Sequence, residues 1–321
     1  MFLTLLPFVS MGVGLIIGFQ KLSDKVYKAF DIASTIALIL LMFVIGGNVG
    51  TSKEVIAEIG VVGINCIVTC LCAVFGSVFL CLLIEKTIVP LGKYQAMLHE
   101  ESEENAALAD AENSSKKRKI DPILVIIIVS VFMGIFVCYE WMPQSMTWTL
   151  TYALWISLIV LYTSVGVGMG QQKSVFLYMK KVGFKILFFA LGVLIGSMAG
   201  GALSTVITGM PLKYAVISTS GVGYYSLTGA TMLSNFDAEG GVYGFMVNVF
   251  RDITTVSLLP LFAKMSKSAP MASGGAGCMD TMLVPITRAM GRELGLIALI
   301  VGVILTFAVP VILPILCGIM A

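Results

Sequence analysis

Eight stretches of this chain, 2–19, 30–50, 59–84, 122–141, 147–170, 184–208, 241–263 and 293–319, are almost continuously apolar. Each has close to the roughly 20 residues that a helix needs to cross about 30 Å of hydrocarbon. Only helices and closed barrels satisfy their own backbone at that depth. Charged residues make up 12% of the chain, about half the usual share of a soluble domain. The expected fold is therefore an all-α polytopic membrane protein with about eight transmembrane helices. The first run has no basic segment before it and no small-residue cleavage site, so it reads as a retained span and not a signal peptide.

Two segments, 212–236 and 270–290, are too rich in glycine and polar residues to face lipid. The first contains "STSGVGYYSLTGATML" (218–233) and the second "GGAGCMDTMLVP" (274–285). Lysine and arginine gather on the cytoplasmic side of short loops. Lys21, Lys25 and Lys28 follow the first span, Lys93 and Lys116–Lys119 the third, and Lys173, Lys180, Lys181 and Lys185 the fifth. The alternate loops are poor in base, which places the N-terminus outside. Lys264 and Lys267 after the seventh span then fall inside only if 212–236 crosses zero or two times. The expectation is a re-entrant hairpin from outside, a second one at 270–290 from the cytoplasm, and both termini outside. The polar stretch 92–121 reads as a solvated cytoplasmic linker.

A gapless shift of 120 residues lays 1–84 over 121–204 and matches Gly14 with Gly134, Gly46 with Gly166, Gly50 with Gly170, Gly63 with Gly183 and Gly76 with Gly196. Five of nine glycines find a partner, where a content of 33 in 321 gives about one by chance. Ser10 and Ser130, and Ser77 and Ser197, match as well. Each copy holds three spans, an odd number, so the second would lie inverted, as in secondary transporters. The expected units are 1–88, a first three-span repeat; 89–121, the linker; 122–209, the inverted repeat; and 210–321, a core with two glycine-rich hairpins and two spans.

Within "GFMVNVFRDITTVSLLP" (244–260), Arg251 and Asp252 sit mid-span, where a charge costs at least about 2.5–3.5 kcal/mol. Asn248, Asp252 and Thr255 share one helical face, which must avoid lipid. Asp280 lies at the second glycine-rich segment. Broken backbone at membrane depth survives where protein or a wet cavity satisfies it, and its helix ends offer N–H groups to anions and carbonyls to cations. The candidate substrate and ion site is thus Asp252, Asp280, Arg251, Asn248, Gly221, Gly223, Tyr224, Tyr225, Ser226, Gly275 and Gly277. In it the acids would meet a cationic group, with Arg251 beside a substrate-free Asp252. The amides around Gly221–Gly223 and Gly275–Gly277 would hold a carboxylate, and Tyr224 and Tyr225 would offer a cation–π wall. His99 is the sole histidine and no C-x-x-C occurs, so no cofactor, metal site or enzymatic constellation is expected. A net charge of +2 says little about partners, and no nucleic-acid partner is expected.

"SGVGYYSLTG" (220–229), "RDITTVSLLP" (251–260) and "GGAGCMDTMLVP" (274–285), taken in order, resemble the matching segments of the bacterial lysine exporter family LysO. The resemblance runs over essentially the whole chain. It implies export of L-lysine and its analogues through the bacterial inner membrane, by exchange with H⁺ or Na⁺. Carried over by position, the family's Arg-acid pair falls on Arg251 and Asp252, its G-x-G-aromatic-Tyr-Ser run on Gly221–Ser226, and its Met-Asp on Met279 and Asp280. One position departs: at the end of the second span, where an acid is expected, the chain has Lys53 with Glu54 beside it. The rival reading is a cation/proton antiporter or an exporter of another amino acid or carboxylate. A homodimer is expected by analogy with other transporters.

Overall fold

The computed structural model describes residues 2–20, 24–52, 59–92, 122–141, 147–171 and 184–320. Most of the linker, the cluster Lys116–Lys119, the loop lysines Lys21, Lys93, Lys173, Lys180 and Lys181, and the Lys53–Glu54 position lie outside these residues. The helices in order are α1 (Phe2–Phe19), α2 (Asp24–Thr51), α3 (Ile59–Thr87), α4 (Pro122–Trp141), α5 (Thr147–Gln171) and α6 (Leu187–Thr208). There follow α7 (Leu212–Ser220), α8 (Tyr225–Asn235), α9 (Ala238–Met265), α10 (Ala269–Gly274), α11 (Leu283–Met290) and α12 (Arg292–Met320).

All eight apolar runs fall on helices. Six helices among the described residues are long and apolar enough to cross a membrane, and in α1 and α4 the shorter stretches Phe8–Phe19 and Val129–Trp141 are apolar. The chain is thus a multi-pass, all-helical membrane protein. Helix ends follow local chemistry. The α6 helix stops at Gly209, whose left-handed φ of 68° closes the last turn before Pro211. The α9 helix starts at Asp237, whose carboxylate accepts from the Gly240 amide at 2.8 Å.

Glycines matched by the 120-residue shift meet reciprocally. A Cβ on Gly14 would lie 2.0 Å from the Thr163 carbonyl oxygen, and one on Gly134 would lie 2.2 Å from that of Phe43, 120 residues before Thr163. A Cβ on Gly46 would lie 2.1 Å from the Val131 carbonyl oxygen and one on Gly166 would lie 2.2 Å from that of Met11, again a pair that maps onto itself. Gly76 and Gly196 face each other, and a Cβ on either would lie 2.3 or 2.4 Å from the other's carbonyl oxygen. This is the pairing that a two-fold axis makes, with α1 on α5, α2 on α4 and α3 on α6. Without a Cβ the backbones approach closely, which is how helices pack in lipid. Gly196→Ala should push backbone against backbone and cost about 1–3 kcal/mol, read as a lowered thermal unfolding midpoint of the purified protein. An unchanged midpoint would mean that α3 and α6 do not cross so tightly.

Packing groups the helices across the segment boundaries of the sequence. Helices α1, α2, α4 and α5 form one body, while α3 and α6 side with α7–α12. The two bodies touch through α1 on α12 and through α2 and α5 on α8, where the buried Tyr162 and Thr231 hydroxyls share a hydrogen bond of 3.0 Å.

Candidate functional site

Both glycine-rich segments are broken helices, and the breaks meet. Between α7 and α8 the chain turns at Gly221–Tyr224, with Val222 at φ 41° and Gly223 at φ 104°. A β-branched residue at positive φ is strained and needs support from its surroundings. Two bonds give it: Asn248 Oδ1 accepts from the Gly223 amide at 2.7 Å, and the Val222 carbonyl accepts from the Ala276 amide at 2.9 Å. Gly275, at φ 56°, has no room for a Cβ, which would sit 2.3 Å from the Val222 oxygen. The first segment doubles back on itself, since the Tyr214 hydroxyl near its start donates to the Asp237 carboxylate past its end at 2.5 Å. Asn248 also donates to the Ser218 and Gly244 carbonyls, both at 2.8 Å, so it clamps the first break to α9.

Arg251, 2% exposed, lies behind the breaks. Its guanidinium donates to the Ser273 carbonyl at 2.9 Å, the Ala272 carbonyl at 2.9 Å, the Ser197 hydroxyl at 2.8 Å and the Ser77 hydroxyl at 3.2 Å. Ala272 and Ser273 carry last-turn carbonyls of α10, the negative end of a helix dipole. Ser197 passes the contact on, donating to the Thr219 carbonyl in the last turn of α7 at 2.7 Å. The two serines are equivalent under the 120-residue shift and sit beside the Gly76–Gly196 crossing. One cation thus joins both repeats to the carbonyl ends of both broken helices. The expected pairing with Asp252 is not among these bonds, because successive helical residues point about 100° apart.

Asp252 faces the other way. It is 7% exposed; one oxygen accepts from the Thr281 hydroxyl at 3.5 Å, and the other, Oδ1, is buried without a partner among the described residues. It opens on a cavity of about 330 Å³ between the two bodies, near the lower end of the roughly 300–1,000 Å³ usual for small-molecule sites. The first break lends Gly223, Tyr224, Tyr225 and Ser226, and the second Gly277, Met279, Asp280 and Thr281. The α2 helix lends Ser34 and Thr35, α5 lends Ser164, and α12 lends Thr306. No lysine or arginine lines it among the described residues. Asp280 is exposed, at the rim, and one of its oxygens accepts from the Thr281 amide.

Of the residues singled out from the sequence, Asp252, Asp280, Gly223, Tyr224, Tyr225, Ser226 and Gly277 come together around the cavity. Asn248 and Arg251 lie behind it as supports. Gly221 packs on Thr228 and Asn248, and Gly275 packs on Val222, both away from the cavity. Sequence reasoning missed Thr306, Ser34, Thr35 and Ser164, which carry no pattern in an apolar helix, and Thr281, in the turn after Asp280. It noted Ser77 and Ser197 only as marks of the repeat.

The model of the family described as lysine exporter LysO matches residues 8–98 and 128–317, leaving most of the polar linker unmatched. The lysine exporter LysO of Escherichia coli K12 is 29% identical over 124 residues, which cover 39% of this chain and 42% of that protein. A Haemophilus influenzae Rd protein provisionally named a lysine exporter is 25% identical over 198 residues, 60% of this chain and 96% of its own length. The match spans less than half the length of the Escherichia coli relative. No solved structure matches significantly.

Proposed function

The chain belongs to the lysine exporter family LysO, and from that premise we propose that it is a secondary transporter for L-lysine and its analogues. It moves them out of the cytoplasm across the bacterial inner membrane, in exchange for H⁺ or Na⁺. The observation that carries the reading is Asp252, a buried carboxylate with an unpartnered oxygen, opening midway along a long apolar helix onto a cavity between two helix breaks. Ionisable groups inside membrane helices mark solute and proton routes. A wall with two acids and, among the described residues, no lysine or arginine suits a substrate that brings two ammonium groups. Asp252 meets one of them at depth, and Asp280 receives the other at the rim. Tyr224 and Tyr225 flank the path, where a ring face adds about 0.5–2 kcal/mol to a desolvated cation.

The cavity lies on the seam between the four-helix body and the remainder. Rocking or sliding of one body on the other would open it first to one side and then to the other, the working principle of transporters with inverted repeats. The loop lysines orient this cycle with both termini outside.

The test is counterflow in proteoliposomes loaded with unlabelled lysine, with labelled lysine outside and a panel of other amino acids as competitors. Lysine should accumulate and collapse an imposed pH or Na⁺ gradient. Collapse of the gradient by another solute, with no lysine counterflow, would replace this reading by that of a cation antiporter or an exporter of that solute.

A further inference from the structure

An amino acid also carries a carboxylate, and eight backbone amides at the helix breaks are already engaged. Gly221 N bonds to Ser218 O, Val222 N to Thr219 O, Gly223 N to Asn248 Oδ1, Tyr224 N to Gly221 O and Tyr225 N to Gly223 O. On the second break Gly275 N is taken by Met271 O, Ala276 N by Val222 O and Asp280 N by Gly277 O. The one nearby guanidinium, Arg251, is held by four other acceptors. Both acids, Asp252 and Asp280, stand on the α7–α12 side of the cavity, where they would repel a carboxylate. The opposite wall, from α2 and α5, is neutral and rich in hydroxyls: Ser34, Thr35 and Ser164.

Ser164 is the distinctive one. A serine or threonine inside a helix ordinarily bonds a carbonyl one turn back, as its neighbour Thr163 does to Ile159 at 2.7 Å. The Ser164 hydroxyl instead is buried without a partner among the described residues, and Ser164 lines the cavity. An unmade bond of a buried hydroxyl is costly, and a bound carboxylate would make it.

We propose that Ser164, on the four-helix body, donates to the α-carboxylate of the transported amino acid, so that one substrate bridges the two helix bodies with its ammonium groups on Asp252 and Asp280. The inference rests on the transport reading above and adds a specificity residue to the same site. A substrate held from both sides couples occupancy to the seam: an empty site leaves the bodies untied, and a full one links them.

The experiment compares two ligands on the purified protein, L-lysine and pentane-1,5-diamine, the same skeleton without its carboxylate. Binding is read as ligand-induced thermal stabilisation of wild type and of Ser164→Ala. The variant should weaken lysine about tenfold or more, as loss of one hydrogen bond to a charged group does, and leave the diamine unchanged. Equal weakening of both ligands, or unaltered lysine binding, overturns the assignment. Wild type that binds neither ligand would overturn the lysine-transport reading itself, and this inference with it.

Discussion

Replacing Arg251 with leucine should lower the unfolding midpoint of the purified protein by roughly 5–10 °C and abolish lysine counterflow, while Arg251→Lys recovers part of both. Leucine fills the space and leaves the Ala272 and Ser273 carbonyls and the Ser77 and Ser197 hydroxyls without their donor. Polar contacts between membrane helices average about 0.6 kcal/mol each, and bonds to a charged group about 1.5–3 kcal/mol, so four of them contribute at least about 2–3 kcal/mol. That is a large part of the about 5–15 kcal/mol that holds a native protein together. Lysine brings the charge but not the planar fork, so it can serve the α10 carbonyls and not both serines at once. Transport should fall further than stability, because the same guanidinium ties the ends of α7 and α10 together and so sets the position of Gly223 and Gly277 around Asp252. Full counterflow in Arg251→Leu would show that the breaks hold their places without it.

Much of this arrangement was open to a reader of the sequence, for reasons particular to membranes. Apolar runs reveal their helices because lipid permits little else, and glycine and polar residues marked 212–236 as a segment whose helix breaks, as it does between α7 and α8. The glycines carried the repeat because a helix crossing without a Cβ leaves a residue that nothing else can replace; Gly76 and Gly196 meet for that reason. Direction was not legible. Arg251 and Asp252 are adjacent in the chain, and adjacency suggests a pair, yet which way each turns depends on partners in α3, α6 and α10, 21 to 174 residues away in the chain. The amides of Gly221 and Gly223 looked available for a ligand for a similar reason: their partners Ser218 and Asn248 are set by the fold of the break. Ser164 is the extreme case. Ser130 bonds its own helix at Ile126 and Ser164 does not, and no pattern of letters separates the two.

Asp252→Asn should lower lysine counterflow by at least roughly 100-fold while raising the unfolding midpoint by a few degrees, about 1 kcal/mol. The opposite signs are the point of the experiment. Asparagine keeps the shape and can still accept from Thr281, so the packing around α9 is retained. What it loses is the charge, which has no cation bonded to it among the described residues: Arg251 is committed elsewhere, and Oδ1 is buried with nothing to bond there. A buried carboxylate in that position costs stability, and proteins keep such a cost where function requires it. A purely structural Asp252 would behave in reverse, with asparagine destabilising the protein and sparing transport in whatever fraction stays folded. Arg251 and Asp252 thus make a pair of contrasting neighbours: removing the first should loosen the protein and removing the second should tighten it, although both end transport. The contrast follows from geometry, since one side chain fills its hydrogen bonds from the fold and the other keeps one carboxylate oxygen unbonded among the described residues.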